Sequence, residues 1–216
     1  MVTAEVPADI SVTVDIPQGY AELPLDTIEE SVALTESLFA SLDPGMLSSA
    51  APKVLQALKV LMGRLAQYNV VYCGLGTHLS TDGRQISSTL TITLADYGAE
   101  QSPRLTLGSV LSGRQRGGER FANAEFLEVS GRLILMLDRI RPVPTPDLAN
   151  YEGEEQEIYQ IEAIVSSPDG SAIAAVELST SFVQDGAEYL LPVVAVAASI
   201  EFDSTFRTTT AFSLKL

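Results

Sequence analysis

Two segments near the C-terminal end of the chain alternate apolar and polar side chains with a period of two residues. They are Tyr159–Val165 and Ala172–Leu178. Successive side chains of a β-strand point to opposite faces, so this period predicts two strands. Pro168–Gly170 lies between them and is typical of a tight turn. The pattern therefore predicts a β-hairpin.

The residues after Gly186 change to helical spacing. Apolar residues recur every three or four positions, which predicts a closing helix with one buried stripe. Pro192 has no N–H and fits only the first turn, so we expect the helix to begin near Tyr189 or Leu190. The predicted stripe consists of Leu190, Val194 and Ala197, with Leu191 and Ala198 beside it.

The N-terminal quarter predicts one strand and two helices. Residues Ile10–Ile16 alternate in the same way and stop at Pro17–Gly19, which indicates a half-buried strand. A capping residue at Asp26 or Thr27, with Glu29 or Glu30 three residues later, favours a helix whose apolar stripe ends at Leu42. A second amphipathic helix is predicted from Ser48 or Ser49 and Pro52 to Leu65.

The middle of the chain predicts two further hairpins. The first joins Val70–Leu79 to Gln85–Ala95 through a glycine-containing turn, and the second joins Phe121–Val129 to Arg132–Ile140. Gly74 and Gly76 superficially match a phosphate-binding loop. No helix follows them, however, so a bulge or a close backbone approach is favoured over a nucleotide site.

Three segments lack a regular pattern. Ser102–Val110 favours neither a helix nor a strand, and Ser112–Arg120 is interpreted as a basic, glycine-rich loop. Arg141–Pro146 and the acidic Glu152–Glu155 predict a stiff polar connection. These glutamates lack the ligand spacing of a calcium loop, so a solvated linker is favoured. We predict one α+β domain over residues 1–203, with 204–216 as a tail or an edge strand.

Composition limits the class of protein without identifying it. The chain has 216 residues, of which 46% are hydrophobic and 19% charged, which is typical of a globular domain. Its apolar runs are too short for a transmembrane segment, and no secretory signal is evident, so a cytoplasmic protein is predicted. Cys73 is the only cysteine, so no internal disulfide can form.

Charge is unevenly distributed along the chain. The net charge of −15 argues against a nucleic acid as partner. Eleven basic and seven acidic residues lie within 53–141, between flanks that are strongly acidic. Either the flanks neutralise this segment in the fold, or arginines on a free loop meet an acidic partner. The predicted partner-binding residues are Arg104, Arg114, Arg116 and Arg120.

Few residues suggest catalysis. His78 is the only histidine, so the chain has neither a histidine pair nor the ligands of a zinc site. We therefore predict no catalytic residue, no metal site, no cofactor, and no chemical role for His78 or Cys73. Two functions remain open: a non-catalytic protein-binding or adaptor domain, and an enzyme that uses acidic residues in a pocket.

Both ends of the chain resemble the PsbP-like superfamily. The relevant segments are Pro17–Tyr20, after the first strand, and Ala197–Phe202, at the end of the closing helix. The superfamily includes LpqN-like lipoproteins and secretion-adaptor domains. The resemblance implies an antiparallel sheet flanked by helices in an α-β-α sandwich. It also implies a protein partner, in a bacterial secretion or envelope system. No binding residue follows from it.

Overall fold

The computed structural model describes residues 2–6, 10–25, 27, 62–63, 65, 68–98, 100–144 and 155–203. Within these residues the chain forms ten strands, two α-helices whose bounds are described and one 3-10 helix, and residues 62, 63 and 65 are also helical. The strands are β1 Val2–Val6, β2 Ile10–Val14, β3 Tyr20–Glu22, β4 Val70–Leu79, β5 Gln85–Asp96, β6 Asn123–Val129, β7 Arg132–Pro144, β8 Glu155–Ser166, β9 Ala172–Thr180 and β10 Glu201–Phe202. The helices are α1 Pro103–Arg116, the 3-10 helix Val183–Tyr189 and α2 Leu190–Ser199.

The strands form two antiparallel sheets. The larger sheet has seven strands in the order β3-β4-β5-β9-β8-β7-β6, and the smaller has the order β1-β2-β10. In the large sheet, strands that precede residues 145–154 pair with strands that follow them. Strand β7 pairs with β8, and β5 pairs with β9. The α+β class and the antiparallel sheet are confirmed, whereas the domain limits at 203 and 204 stay a prediction.

The large sheet is covered by a helix on each face. Alternate residues of β7 show this: Ile134 and Met136 belong to the core under α2, whereas Leu135 and Leu137 belong to a smaller core under α1. The α2 side also buries the apolar residues of β2, together with Leu90 and its neighbours in β5. The sheet is therefore the middle layer between two helices.

The predicted C-terminal hairpin and helix are present. Strands β8 and β9 pair antiparallel up to Ser166 opposite Ile173, and α2 begins at Leu190 as the proline predicts. The predicted stripe of α2 is partly wrong. Val193, Val196 and Ala197 are fully buried, whereas Leu190 and Leu191 are exposed and Val194 is half-buried. Since almost every residue of α2 is apolar, spacing alone does not identify its buried side.

The two central hairpins are also confirmed. Strand β4 pairs with β5, and β6 pairs with β7. Gly83 has φ +81° in the first turn. Ser130 and Gly131 have φ +52° and +77°, as a two-residue type I′ turn requires. The N-terminal strand is confirmed as β2, although it ends two residues earlier than predicted.

Two sequence interpretations are wrong. Helix α1 covers residues 103–116, which include most of the predicted basic loop. Of that predicted loop, only residues 117–120 lie outside the helix. The predicted connection from Arg141 onward is still strand as far as Pro144, which pairs with Glu155 of β8. In both places local composition suggested a break, but packing against the sheet maintains regular structure.

Some predictions fall outside the described residues. They are most of the helices predicted over 26–65, the acidic segment 152–154 and the tail 204–216. Of the second helix, Met62, Gly63 and Leu65 are described as helical, and Met62 is 2% exposed. Neither α1 nor α2 has the length and apolarity that a helix needs to cross a bilayer.

Candidate functional site

Helix α1 has its own start and stop signals. The Ser102 side chain accepts a hydrogen bond from the Leu105 N–H at 3.4 Å, and Pro103 occupies the first turn. At the other end, Gly117 and Gly118 terminate the helix, with Gly118 at φ +89°. These signals hold the helix in place although Gly108 and Gly113 lie within it.

The four predicted arginines occupy different environments. Arg104 lies in the first turn of α1, Arg114 and Arg116 lie in its last turn, and Arg120 follows the helix. They therefore do not share one flexible loop. Positive side chains in the last turn also interact favourably with the helix dipole, which is a structural reason for two of them.

Arg114 forms an internal ion pair with Glu162 of β8. Both guanidinium Nη atoms donate to the carboxylate, and the Nη2–Oε1 distance is 2.7 Å. Burial raises the pKa of Glu162 despite the hydrogen bonds and charge of Arg114, which lower it. For Arg114, burial lowers the pKa, but the hydrogen bonds and charge of Glu162 more than offset this and raise it. The pair fastens α1 to the sheet, so Arg114 is not a free surface charge.

Glu177 lies directly opposite Glu162 on the neighbouring strand β9. The Ser179 hydroxyl donates to Glu177 Oε1 at 3.2 Å. Sequence reasoning missed this carboxylate pair, because the five-residue turn between β8 and β9 does not fix their register. Two carboxylates side by side are one arrangement that acid-base catalysis uses, but here Arg114 forms a bidentate contact with one of them, Glu162.

Arg104, Arg116 and Arg120 are exposed. None of them forms an ion pair within the described part of the chain, and Arg116 Nε donates only to the Ser112 carbonyl at 3.2 Å. Leu105, which follows Arg104, is 61% exposed. The outer surface of α1 and the segment after it thus presents three unpaired positive charges and one apolar side chain.

The segment after α1 is anchored to the sheet by Arg139 of β7. This arginine donates to Glu119 at 2.6 Å and to Gln160 at 2.6 Å, and it lies over the Phe121 ring at 5.7 Å. Arg120 therefore projects from an ordered segment between two held residues.

Among the described residues, two ion pairs connect the basic middle of the chain to its acidic C-terminal part. They are Arg114–Glu162 and Arg84–Asp185, the latter at 2.7 Å. Neutralisation by the C-terminal flank thus accounts for Arg84 and Arg114, two of the eleven basic residues in segment 53–141. It does not account for Arg104, Arg116 or Arg120 within the described residues.

A cavity of about 430 Å³ lies at the end of the sheet where β4, β5 and β9 meet. Seven of its ten lining residues are serines or threonines, and the other three are Leu75, Gly76 and Ile158. Hydroxyls can bind a neutral polar molecule, but a serine nucleophile also needs a base beside it. No lining residue has an acidic or basic side chain.

His78 packs between aromatic rings. Its ring centroid lies 5.0 Å from that of Tyr20 and 5.8 Å from that of Tyr189. Burial lowers the pKa of His78, which favours the neutral imidazole. A Cβ added to Gly76 would lie 2.5 Å from His78 Nε2, so this glycine permits a close approach of ring and backbone. The sequence pattern favours a bulge or a close backbone approach at Gly74 and Gly76, and the close approach is confirmed.

Three buried polar atoms have no hydrogen-bond partner among the described residues: His78 Nε2, Asp185 Oδ2 and the Tyr189 hydroxyl. The Tyr189 hydroxyl lies next to those of Ser88 and Thr180 without reaching hydrogen-bonding geometry.

Cys73 is buried, and burial raises the pKa of its thiol to about 11. A thiol of this kind is a poor nucleophile, because the thiolate is the reactive form. Within the described ranges, no three histidine, cysteine, aspartate or glutamate side chains lie together in a metal-binding group. That His78 and Cys73 have no chemical role stays a prediction.

Comparison with known proteins does not assign a family. No protein-family model matches this chain, and no curated protein sequence matches it. The resemblance to the PsbP-like superfamily therefore stays a prediction, and function must be argued from the residues described above.

Proposed function

We propose that this protein is a non-catalytic protein-binding domain that acts as an adaptor. The observation that supports this most is the exposure of Arg104, Arg116 and Arg120 without an acidic partner in the described part of the chain. Unpaired positive charges on a protein of net charge −15 favour a partner with an acidic surface. The partner contacts the outer surface of α1 and the segment that follows it.

The polar sites of the fold support a binding role better than a catalytic one. Glu162 and Glu177 lie side by side, but the Glu162 carboxylate is already hydrogen-bonded to Arg114. The cavity is lined by hydroxyls and apolar groups, without the acid-base pair that an enzyme based on acidic residues would need. The enzyme alternative therefore has only the Glu162–Glu177 pair in its favour.

The finer parts of the proposal rest on the sequence. We propose an α-β-α sandwich of the PsbP-like kind, which the helices on both faces of the sheet support. We also propose that it serves a bacterial secretion or envelope system from the cytoplasmic side, with no nucleic acid and no cofactor involved.

The test uses a triple variant, Arg104→Ser, Arg116→Ser and Arg120→Ser, which leaves the Arg114–Glu162 pair intact. Partners are recovered from the source organism on immobilised protein, identified by mass spectrometry, purified and titrated at low and high salt. If each exposed charge contributes roughly 0.5 kcal/mol, the triple variant loses about tenfold in affinity at low salt. It also loses most of the salt dependence.

The matched control is Arg141→Ser, which removes an exposed arginine of β7 that lies outside α1. Its affinity and that of the wild type should be equal. Equal affinity of the triple variant and the wild type at every salt concentration would remove these arginines from the binding surface. Turnover of a purified small molecule that depends on Glu177 would instead support the enzyme alternative.

A further inference from the structure

Strand β6 is an open edge of the seven-stranded sheet. It pairs with β7 on one side and with no other strand in the described residues. Its side chains are mostly exposed on both faces, and Phe126 is 40% exposed. An open edge offers unpaired backbone N–H and C=O groups to any strand that can align with it.

The sheet protects the neighbouring part of the same edge. Strand β7 extends beyond β6, and that extension contains Pro142 and Pro144. A proline has no N–H to offer and blocks strand addition. Strand β6 contains no proline. One part of the edge is therefore closed by its sequence and the other part is left open.

The turn between β6 and β7 determines which groups of β6 face outward. In a two-residue hairpin the residues that flank the turn, Val129 and Arg132, exchange both backbone hydrogen bonds. Every second residue of β6 from Val129 then forms the same kind of hydrogen-bonded pair with β7, so Leu127 and Glu125 direct their backbone groups towards β7. Hence Ala124, Phe126 and Glu128 direct their N–H and C=O groups away from β7. By the same alternation, the backbone nitrogen of Pro142 faces the open edge and not β8. Its missing N–H therefore costs no hydrogen bond within the sheet.

We propose that β6 pairs antiparallel with β6 of a second copy of this chain, about a two-fold axis at Phe126. Two outward-facing Phe126 residues then meet across the axis, and Ala124 of each copy lies opposite Glu128 of the other. Each of these three residue pairs exchanges two backbone hydrogen bonds. The seven-stranded sheet continues into that of the second copy.

The charges of β6 are compatible with this register and disfavour registers centred on Glu125 or Glu128. With Phe126 on the axis, Glu125 lies opposite Leu127 and Glu128 lies opposite Ala124, so no glutamates face each other directly. A shift that places Glu125 on the axis brings two glutamates together, which is unfavourable. The aromatic pair at the axis adds a favourable cross-strand contact. A second copy thus satisfies the open backbone groups, buries Phe126 and separates the acidic side chains.

The dimer does not depend on the proposed adaptor function, because no arginine lies in β6. Sedimentation velocity of the full chain over a concentration series should show a dimer. Phe126→Pro removes an outward-facing N–H and leaves the bonds to β7 in place, so this variant should stay folded and sediment as a monomer. Phe126→Ala keeps that N–H and should retain part of the association.

Cysteine cross-linking tests the register in a Cys73→Ser background. A disulfide needs Cα atoms roughly 4.4–6.8 Å apart, so Phe126→Cys should oxidise to a covalent dimer about tenfold faster than Ala124→Cys or Glu128→Cys alone. An equal mixture of Ala124→Cys and Glu128→Cys protein should cross-link like Phe126→Cys. Equal rates at all positions would overturn the register.

A wild type that stays monomeric at the highest soluble concentration would overturn the proposal. Hydrogen exchange then gives the reason. Slow exchange at Ala124, Phe126 and Glu128 in a monomer would mean that a segment of the same chain covers β6. Fast exchange there would mean that the edge stays open.

Discussion

At the scale of single residues, the most consequential pair is Arg114 and Glu162. We predict that Arg114→Ala lowers the free energy of unfolding by about 3–5 kcal/mol, because it leaves a buried carboxylate without its partner. Chemical denaturation measures this loss. Arg116→Ala is the matched control, since it removes an exposed arginine of the same helical turn and should change stability by less than about 0.5 kcal/mol.

The loss should depend on pH in a definite direction. The pKa of Glu162 is already raised by burial, and removal of Arg114 raises it further. In the pH range between the unfolded and folded pKa values, the folded variant binds more protons than the unfolded chain, so its stability falls as pH rises. The destabilisation by Arg114→Ala should therefore shrink as pH falls towards the unfolded pKa of glutamate. A loss that is constant with pH would show that packing of the arginine stem, and not charge, is responsible.

At the scale of elements, helix α2 shows both the strength and the limit of sequence patterns. Pro192 located its start correctly. Its buried side was misplaced by one position, because apolar residues surround almost the whole helix and spacing does not single out one side. The side that packs is known only once β8, β9 and β2 are in place.

This correction changes the choice of test for α2. Val193 is 1% exposed and Leu191 is 76% exposed. We predict that Val193→Asp unfolds the protein or lowers its stability by several kcal/mol, because an unpaired carboxylate enters the core. Leu191→Asp should melt within a few degrees of the wild type, and Val194→Asp should lie between the two. Similar melting temperatures for Val193→Asp and Leu191→Asp would mean that α2 is not packed as described.

Helix α1 shows why part of the candidate site could not be predicted. Ser102, Pro103 and the paired glycines at 117 and 118 are helix signals, yet glycines at 108 and 113 and an alternation at Leu105 and Leu107 obscured them. Mid-helix glycine costs about 1 kcal/mol relative to alanine, which here is offset by burial of Leu107 and Val110. The arginines were found as a group, but their separation into one half-buried, ion-paired residue and three exposed ones required the helix.

At the scale of the whole molecule, the hairpins were predictable and their order in the sheet was not. Each hairpin follows from local alternation and a turn, whereas the pairing of β5 with β9 joins residues far apart in sequence. Whether a strand lies at the edge or in the centre of the sheet depends on the order of the strands. The sequence could therefore not show that β6 has an open side.

The sheet order predicts how protection from hydrogen exchange varies across the molecule. Amides of β5, β8 and β9, which have strands on both sides and are buried on at least one face, should exchange slowest, close to the global unfolding rate. Amides of β3, at the edge, should exchange fastest among the strands of the large sheet. Exchange measured by mass spectrometry on peptic fragments checks this ranking. Uniform protection over all seven strands would mean that the sheet opens only as a single unit.

The pairing of β5 with β9 also bears on how the chain emerges from a ribosome. The first residue of β9 is made 76 residues after the last residue of β5, since 172 − 96 = 76. At about 5–20 residues per second, that interval lasts roughly 4–15 s. Throughout it, Leu90, Ile92 and Leu94, all fully buried in the finished protein, belong to a strand that can pair with β4 but whose other partner, β9, does not yet exist. The nascent chain therefore presents an apolar β-hairpin early in translation, which is the kind of surface that chaperones bind.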